Sequence, residues 1–287
     1  MRTIRVAHSP DSDDAFMFYA LAEGKVDTGD LRYVHELQDI ETLNQRALRG
    51  ELEVTAVSIH AYAYLSERYA LLPHGGSMGD RYGPRLVARS AMTPGEIRGK
   101  RIAVPGLLTS AYLALRLYQP SFEPVVTPFD QIEDAVESGD VDLGLLIHEG
   151  QLTYAQRGLK LIVDLGAWWH DQTALPLPLG GNVVRKDLGE ELIGNISRHL
   201  HASIAYGLRH RRAALDHSMR YARGLDRDMA DTFVGMYVND WTLDYGEKGR
   251  EAVRQFLARG VDAGVIKTPV SVEFAGESPS SSTAARD

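Results

Sequence analysis

Apolar and polar positions along this chain change period repeatedly, and each change marks a new element. TIRVAHS is a strand-length apolar run, PDSDD breaks it, and AFMFYALAEGKV follows with helical length and a stop near Gly24. LRYVHELQD reads as a second strand. In the next segment Ile40, Leu43, Ala47 and Leu48 recur at helical spacing, and the run stops at Gly50. LEVTAVS supplies a third strand and IHAYAYLSERY another helix. Strand and helix thus alternate through the first 70 residues, which is the signature of an α/β sheet.

The glycine-rich stretch HGGSMGDRYGP reads as a mobile loop leading to a strand, RLVARS. A fresh start follows at TPGEIRGKRIAVPG, a helical turn and then a strand, with a helix in AYLALRLYQ. VVTPFDQIEDAVESG predicts a helix ending near Gly139, VDLGLLIH a nearly continuous apolar strand, and GLKLIVDLG one more. LPLPLGGNVVRKD crosses back, and from about residue 187 the chain is helical and charged. The pattern predicts two α/β lobes with a ligand cleft between them. The larger comprises 1–93 plus 186–275, the smaller 94–185, and the Ser/Ala-rich tail 276–287 is expected to be disordered.

Composition narrows the function. A formal net charge of −8 argues against a nucleic-acid partner, which would need a basic face. No cysteine is present, so disulfides, thiolate metal sites and cysteine nucleophiles are excluded. The N-terminus lacks the apolar core of a secretory signal, and no apolar run approaches bilayer length. The chain reads as cytoplasmic, without membrane insertion.

Ligands of open α/β sheets sit beyond the carboxyl ends of strands. That rule selects four places: the loop Ser9, Asp11, Asp13, Asp14 after the first strand; Ser58; Thr109 and Ser110; and His148. Thr109 and Ser110 open a helix, where hydroxyls and free N–H groups suit a carboxylate, although either could simply cap it. Ser58 is more readily a helix cap than a nucleophile, because no G-x-S-x-G elbow surrounds it. The three aspartates lack calcium-loop spacing and are better explained by a helix's first turn, so no metal is expected. His148 ends an apolar strand and titrates in the range proton transfer needs. Glu149 beside it could orient the ring or point away. Trp168 and Trp169 could wall an aromatic ligand or pack in the core.

The segments HSPDSDDAFMFYAL, DIETLNQRAL, AVPGLLTSAYLALRLY, GLLIHEGQLTY and VDLGAWWHDQTALPLPLG together resemble the 1,4-dihydroxy-6-naphthoate synthase family of the futalosine route to menaquinone, over the chain to about residue 270. The resemblance implies a type II periplasmic-binding-protein-like fold and a lyase that needs no cofactor. Its substrate would be a small carboxylate, cyclic dehypoxanthine futalosine. It implies a proton acceptor in the I-H-E motif, here His148 and neutral at working pH, and substrate-binding positions at Ala56, Val57, Ser58, Thr109 and Ser110. Chorismate dehydratases, a sister family of the same fold, carry I-G-D where this chain has Ile147, His148 and Glu149. The first motif departs from the synthase pattern S-P-C-P-N-D: Asp11 and Asp13 stand where that pattern has Cys and Asn. A dianionic loop there would repel an acidic substrate. The alternatives are a chorismate dehydratase-like activity or a solute-binding protein that holds a carboxylate without chemistry.

Overall fold

The computed structural model describes residues 1–222 and 224–277, so the expected tail lies, from 278 on, outside the described residues. In chain order the strands are β1 (Arg2–His8), β2 (Leu31–Leu37), β3 (Val54–Ser58), β4 (Tyr69–Leu71), β5 (Ser77–Gly79) and β6 (Arg85–Ala88). They continue as β7 (Arg101–Val104), β8 (Glu123–Val126), β9 (Leu143–Leu146), β10 (Lys160–Asp164) and β11 (Leu177–Arg185). One sheet has the order β2-β1-β3-β11-β4, with β5 also paired to β11, and the other has the order β10-β6-β9-β7-β8. Each sheet has a parallel pair of strands joined by a helix, β1 with β2 and β7 with β8, as the alternating pattern predicts.

The crossings between sheets fall at 80–84 and 174–176, whereas the sequence pattern puts them at 93 and 186. β6 pairs antiparallel with β9 and β10 through fully buried Leu86, Val87 and Ala88, which ties it to the second sheet. β11 pairs with β3 from Gly180 to Val184 and belongs to the first. Nor is the glycine-rich stretch a free loop, because Ser77–Gly79 hydrogen-bonds to the start of β11. The helix expected across 59–69 is confined to Ile59–Tyr62, since Tyr69–Leu71 is drawn into pairing with β11.

The long helix Glu190–Arg209 buries Leu192, Ile196, Leu200 and Ile204 at helical spacing. These pack with Met17 and Phe18 of the helix Ser12–Ala22 over the face of the first sheet carrying Ile4, Val6, Val54 and Val184. Near the end of the described chain, Phe274 is wholly buried and its neighbours hydrogen-bond Leu71. Among the described residues no helix is long and apolar enough to cross a membrane.

The first crossing and the helix Leu165–Thr173 touch backbone to backbone. A Cβ on Gly166 would stand 1.9 Å from the Tyr82 carbonyl oxygen, and one on Gly79 would stand 2.1 Å from it. Glycine is required here for closeness of approach rather than for a special φ. Backbone cannot swing aside as a flexible side chain can, so Gly166→Ala should cost about 1–3 kcal/mol. Gly95→Ala, where nothing lies within 4 Å of the added carbon, should stay within about 0.5 kcal/mol. Denaturant unfolding of the two variants checks the contrast.

Candidate functional site

The carboxyl ends of β1, β3, β7 and β9 converge on one cleft between the sheets, with about 780 Å³ of open space, its mouth included. Ser9, Asp11, Asp13, Asp14, Ala56, Val57, Ser58, Thr109, Ser110 and His148 all line it.

β9 ends at Leu146, so His148 is not the last strand residue but sits in a turn, with φ of 62°. A non-glycine residue in the left-handed region costs of order 1 kcal/mol, and such strain gathers at functional sites. The turn carries the ring against the edge of Phe129, centroids 4.6 Å apart, and across the cleft to Asp11. His148 Nδ1 lies 2.9 Å from Asp11 Oδ2, which also accepts the Ser9 hydroxyl. The group that orients the ring is therefore Asp11 from the other lobe, not the adjacent Glu149. Nδ1–H facing a carboxylate fixes the tautomer. Nε2 is left buried with no hydrogen-bond partner among the described residues.

Burial alone would depress the imidazole, but the charge and hydrogen bond of Asp11, with help from Glu149 and Asp13, override it and raise His148 to about 9. The ring is thus mainly imidazolium at neutral pH, which corrects the expectation of a neutral His148. Burial also pushes the neighbouring carboxyls up, Asp13 well above its ordinary range and Asp14 to about 7, with repulsion from Asp11 adding to both. Asp14 accepts the Ser9 N–H at 2.7 Å. Burial therefore works against full ionisation of the loop. Asp11 occupies the N-cap position of the helix Ser12–Ala22, yet its side chain caps nothing there and is turned to the cleft instead.

Ser58 likewise makes no side-chain cap. Its N–H donates to Asn44 Oδ1 at 2.9 Å, and its hydroxyl oxygen accepts Asn44 Nδ2–H at 3.2 Å, which leaves the hydroxyl proton to donate. Thr109 is a true cap: its Oγ1 accepts Tyr112 N–H at 3.2 Å and donates to Gly106. Ser110 donates to the Leu179 carbonyl and accepts His60 N–H at 3.1 Å, tying the lobes together. Both hydroxyls are committed. What this helix can offer an anion is its first-turn N–H groups, at Ser110 and the cleft-lining Ala111.

Several cleft residues escape the strand-end rule. Gln151 lines the cleft three positions beyond His148, and its side-chain oxygen accepts the hydroxyl of Tyr237, which the helix Arg227–Tyr237 brings from the opposite lobe, at 2.8 Å. Asn182 was findable as a polar residue interrupting an apolar face, whereas Tyr237, more than 80 residues away, carries no local signal. Trp169 is wholly buried and donates to Pro176, and Trp168 packs on Tyr118, so neither walls the cleft.

A family profile described as menaquinone biosynthesis matches residues 4–262. A Thermus thermophilus 1,4-dihydroxy-6-naphthoate synthase is 42% identical over 92% of this chain and 96% of its own. A Streptomyces coelicolor protein of the same name is 37% identical over 92% and 95%. A crystal structure of an Archaeoglobus fulgidus protein superposes with a TM-score of 0.88 at 49% identity, covering 92% of this chain and 98% of that one. The Escherichia coli periplasmic aliphatic sulphonate-binding protein shares the fold alone, with a TM-score of 0.64 at 13% identity over 97% and 93%. With its two-lobed periplasmic-binding-protein fold, the chain belongs to the menaquinone-biosynthesis family that includes the 1,4-dihydroxy-6-naphthoate synthases.

Proposed function

We propose that this chain is a cytoplasmic 1,4-dihydroxy-6-naphthoate synthase that acts on cyclic dehypoxanthine futalosine without a cofactor, with His148 as general base and Asp11 as its orienting partner. The observation that carries this reading is the pairing of His148 Nδ1 with Asp11 while Nε2 stays unpartnered in the cleft. That is the geometry of a base held in one tautomer by a carboxylate. The two relatives' names supply the reaction.

In this reading the substrate's acid group takes the first-turn N–H groups of the helix Ser110–Tyr118. Nε2 of a neutral His148 removes a proton, and the elimination that follows releases the sugar-derived portion and aromatises the second ring. With a pKa of about 9, roughly one site in a hundred is neutral at pH 7. A base of that strength abstracts a proton better than an ordinary imidazole, which offsets part of the deficit. Burial that disfavours the charged form of Asp13 lessens the repulsion an acidic ligand would meet.

The direct test is mass-spectrometric product analysis with cyclic dehypoxanthine futalosine, and with chorismate in parallel. The wild type should form the naphthoate, and His148→Ala should be slower by about 10²–10⁴-fold. Near-normal turnover by the variant would remove the base assignment. Tight binding of unchanged ligand would instead favour a solute-binding role, and turnover of chorismate the sister activity.

The pH profile tests Asp11. Because His148 must be neutral to act, kcat/KM should rise with pH toward a limb near 9. Asp11→Asn removes the largest of the influences that raise the imidazole, so the limb should move to lower pH while the plateau falls. A limb that stays in place would show that Asp11 does not set the base.

A further inference from the structure

We propose that Asn182 is a substrate-positioning residue whose side-chain oxygen accepts a hydrogen bond from a hydroxyl of the bound ring system. The proposal rests on the reading that the cleft holds a hydroxylated naphthoate. It starts from the register of β11. Asn182 stands opposite Ala56, Gly180 opposite Ser58, and Val184 opposite Val54, so all six side-chain positions share one face of the sheet. Along that face the strand passes from apolar core at Val184, through Asn182, to the cleft at Gly180. Asn182 is the last side chain before the cleft floor, because Gly180 has none. A Cβ there would meet nothing closer than 3.6 Å, which leaves the floor open for a flat ligand.

The orientation of the Asn182 amide is fixed. Its Nδ2 donates to the Gly75 carbonyl at 3.0 Å and reaches Met17 Sδ at 3.4 Å. Gly75 can offer only an acceptor there, so the amide cannot be flipped. The neighbour also has to be glycine: its φ is 78°, and a Cβ would stand 2.3 Å from Asn182 Nδ2. With the nitrogen held, Oδ1 is left without a hydrogen-bond partner among the described residues, on a residue only 1% exposed. A buried acceptor without a donor costs free energy that a ligand hydroxyl would recover. An acceptor alone cannot favour a carboxylate, so Asn182 reads the hydroxyl side of the ring system, and the Ser110 helix end reads the acid. It touches a group that the elimination leaves on the product, which makes it a positioning residue rather than a second base.

The test is equilibrium binding, under anaerobic conditions, of 1,4-dihydroxy-6-naphthoate and of naphthalene-2-carboxylate, the same skeleton without hydroxyls. The wild type should hold the dihydroxy compound about tenfold tighter, the effect of one hydrogen bond. Asn182→Ala should lose that preference while binding naphthalene-2-carboxylate within about twofold of wild type. A purely structural role would weaken both ligands alike and overturn the assignment, as would a preference that survives in the variant. The wild-type comparison needs no variant to fold: equal affinity for the two ligands there also overturns it. Should neither naphthoate bind the wild type, the synthase reading itself fails.

Discussion

The contact on which the site depends is the one between Asp11 and His148, because its two halves belong to different lobes. Asp11 leaves the end of β1 in the first sheet and His148 follows β9 in the second, yet their atoms meet at 2.9 Å. A buried ion pair is weak evidence for stability, since the desolvation of both groups offsets most of the attraction. Here the pair is accompanied by backbone strain at His148, a second cost that packing alone would not select. Its use is therefore better sought in reactivity: one contact holds the ring in one tautomer and raises its pKa, while Nε2 stays buried and unpartnered among the described residues. The bonds from Tyr237 to Gln151 and from Ser110 to Leu179 cross the same gap. Any lengthening of the Asp11–His148 contact would weaken the influence that holds the imidazole's pKa up.

Much of this arrangement was legible along the chain, and what was not has identifiable physical causes. The strand-end rule located the Ser9 to Asp14 loop, Ser58, Thr109 and His148 on one cleft because hydrophobic periodicity reports strand termini well. It could not say how those side chains are used. Ser58 and Asp11 each sit at a helix start, where a sequence reading favours a cap, but Asn44 and His148 compete for them and win. Thr109 does cap, and that removes its hydroxyl from ligand binding. The lobe boundaries shifted because β6 and β11 are assigned by pairing partners distant in sequence, which periodicity does not record. The same limit hid Tyr237.

The acidic loop then takes its meaning from the pair beside it. Four ionisable groups, Asp11, Asp13, Asp14 and His148, share a volume too dry to hold them all charged. Asp11 is set against the imidazole and the Ser9 hydroxyl, and burial pushes the Asp13 and Asp14 carboxyls up. Burial that disfavours the charged forms of Asp13 and Asp14 lessens the repulsion that these aspartates would offer an acid. An asparagine at Asp11 would carry no charge and could not raise the imidazole as this carboxylate does. The charge at the loop's first aspartate is thus inseparable from the titration of the histidine opposite, and the two positions must be read together.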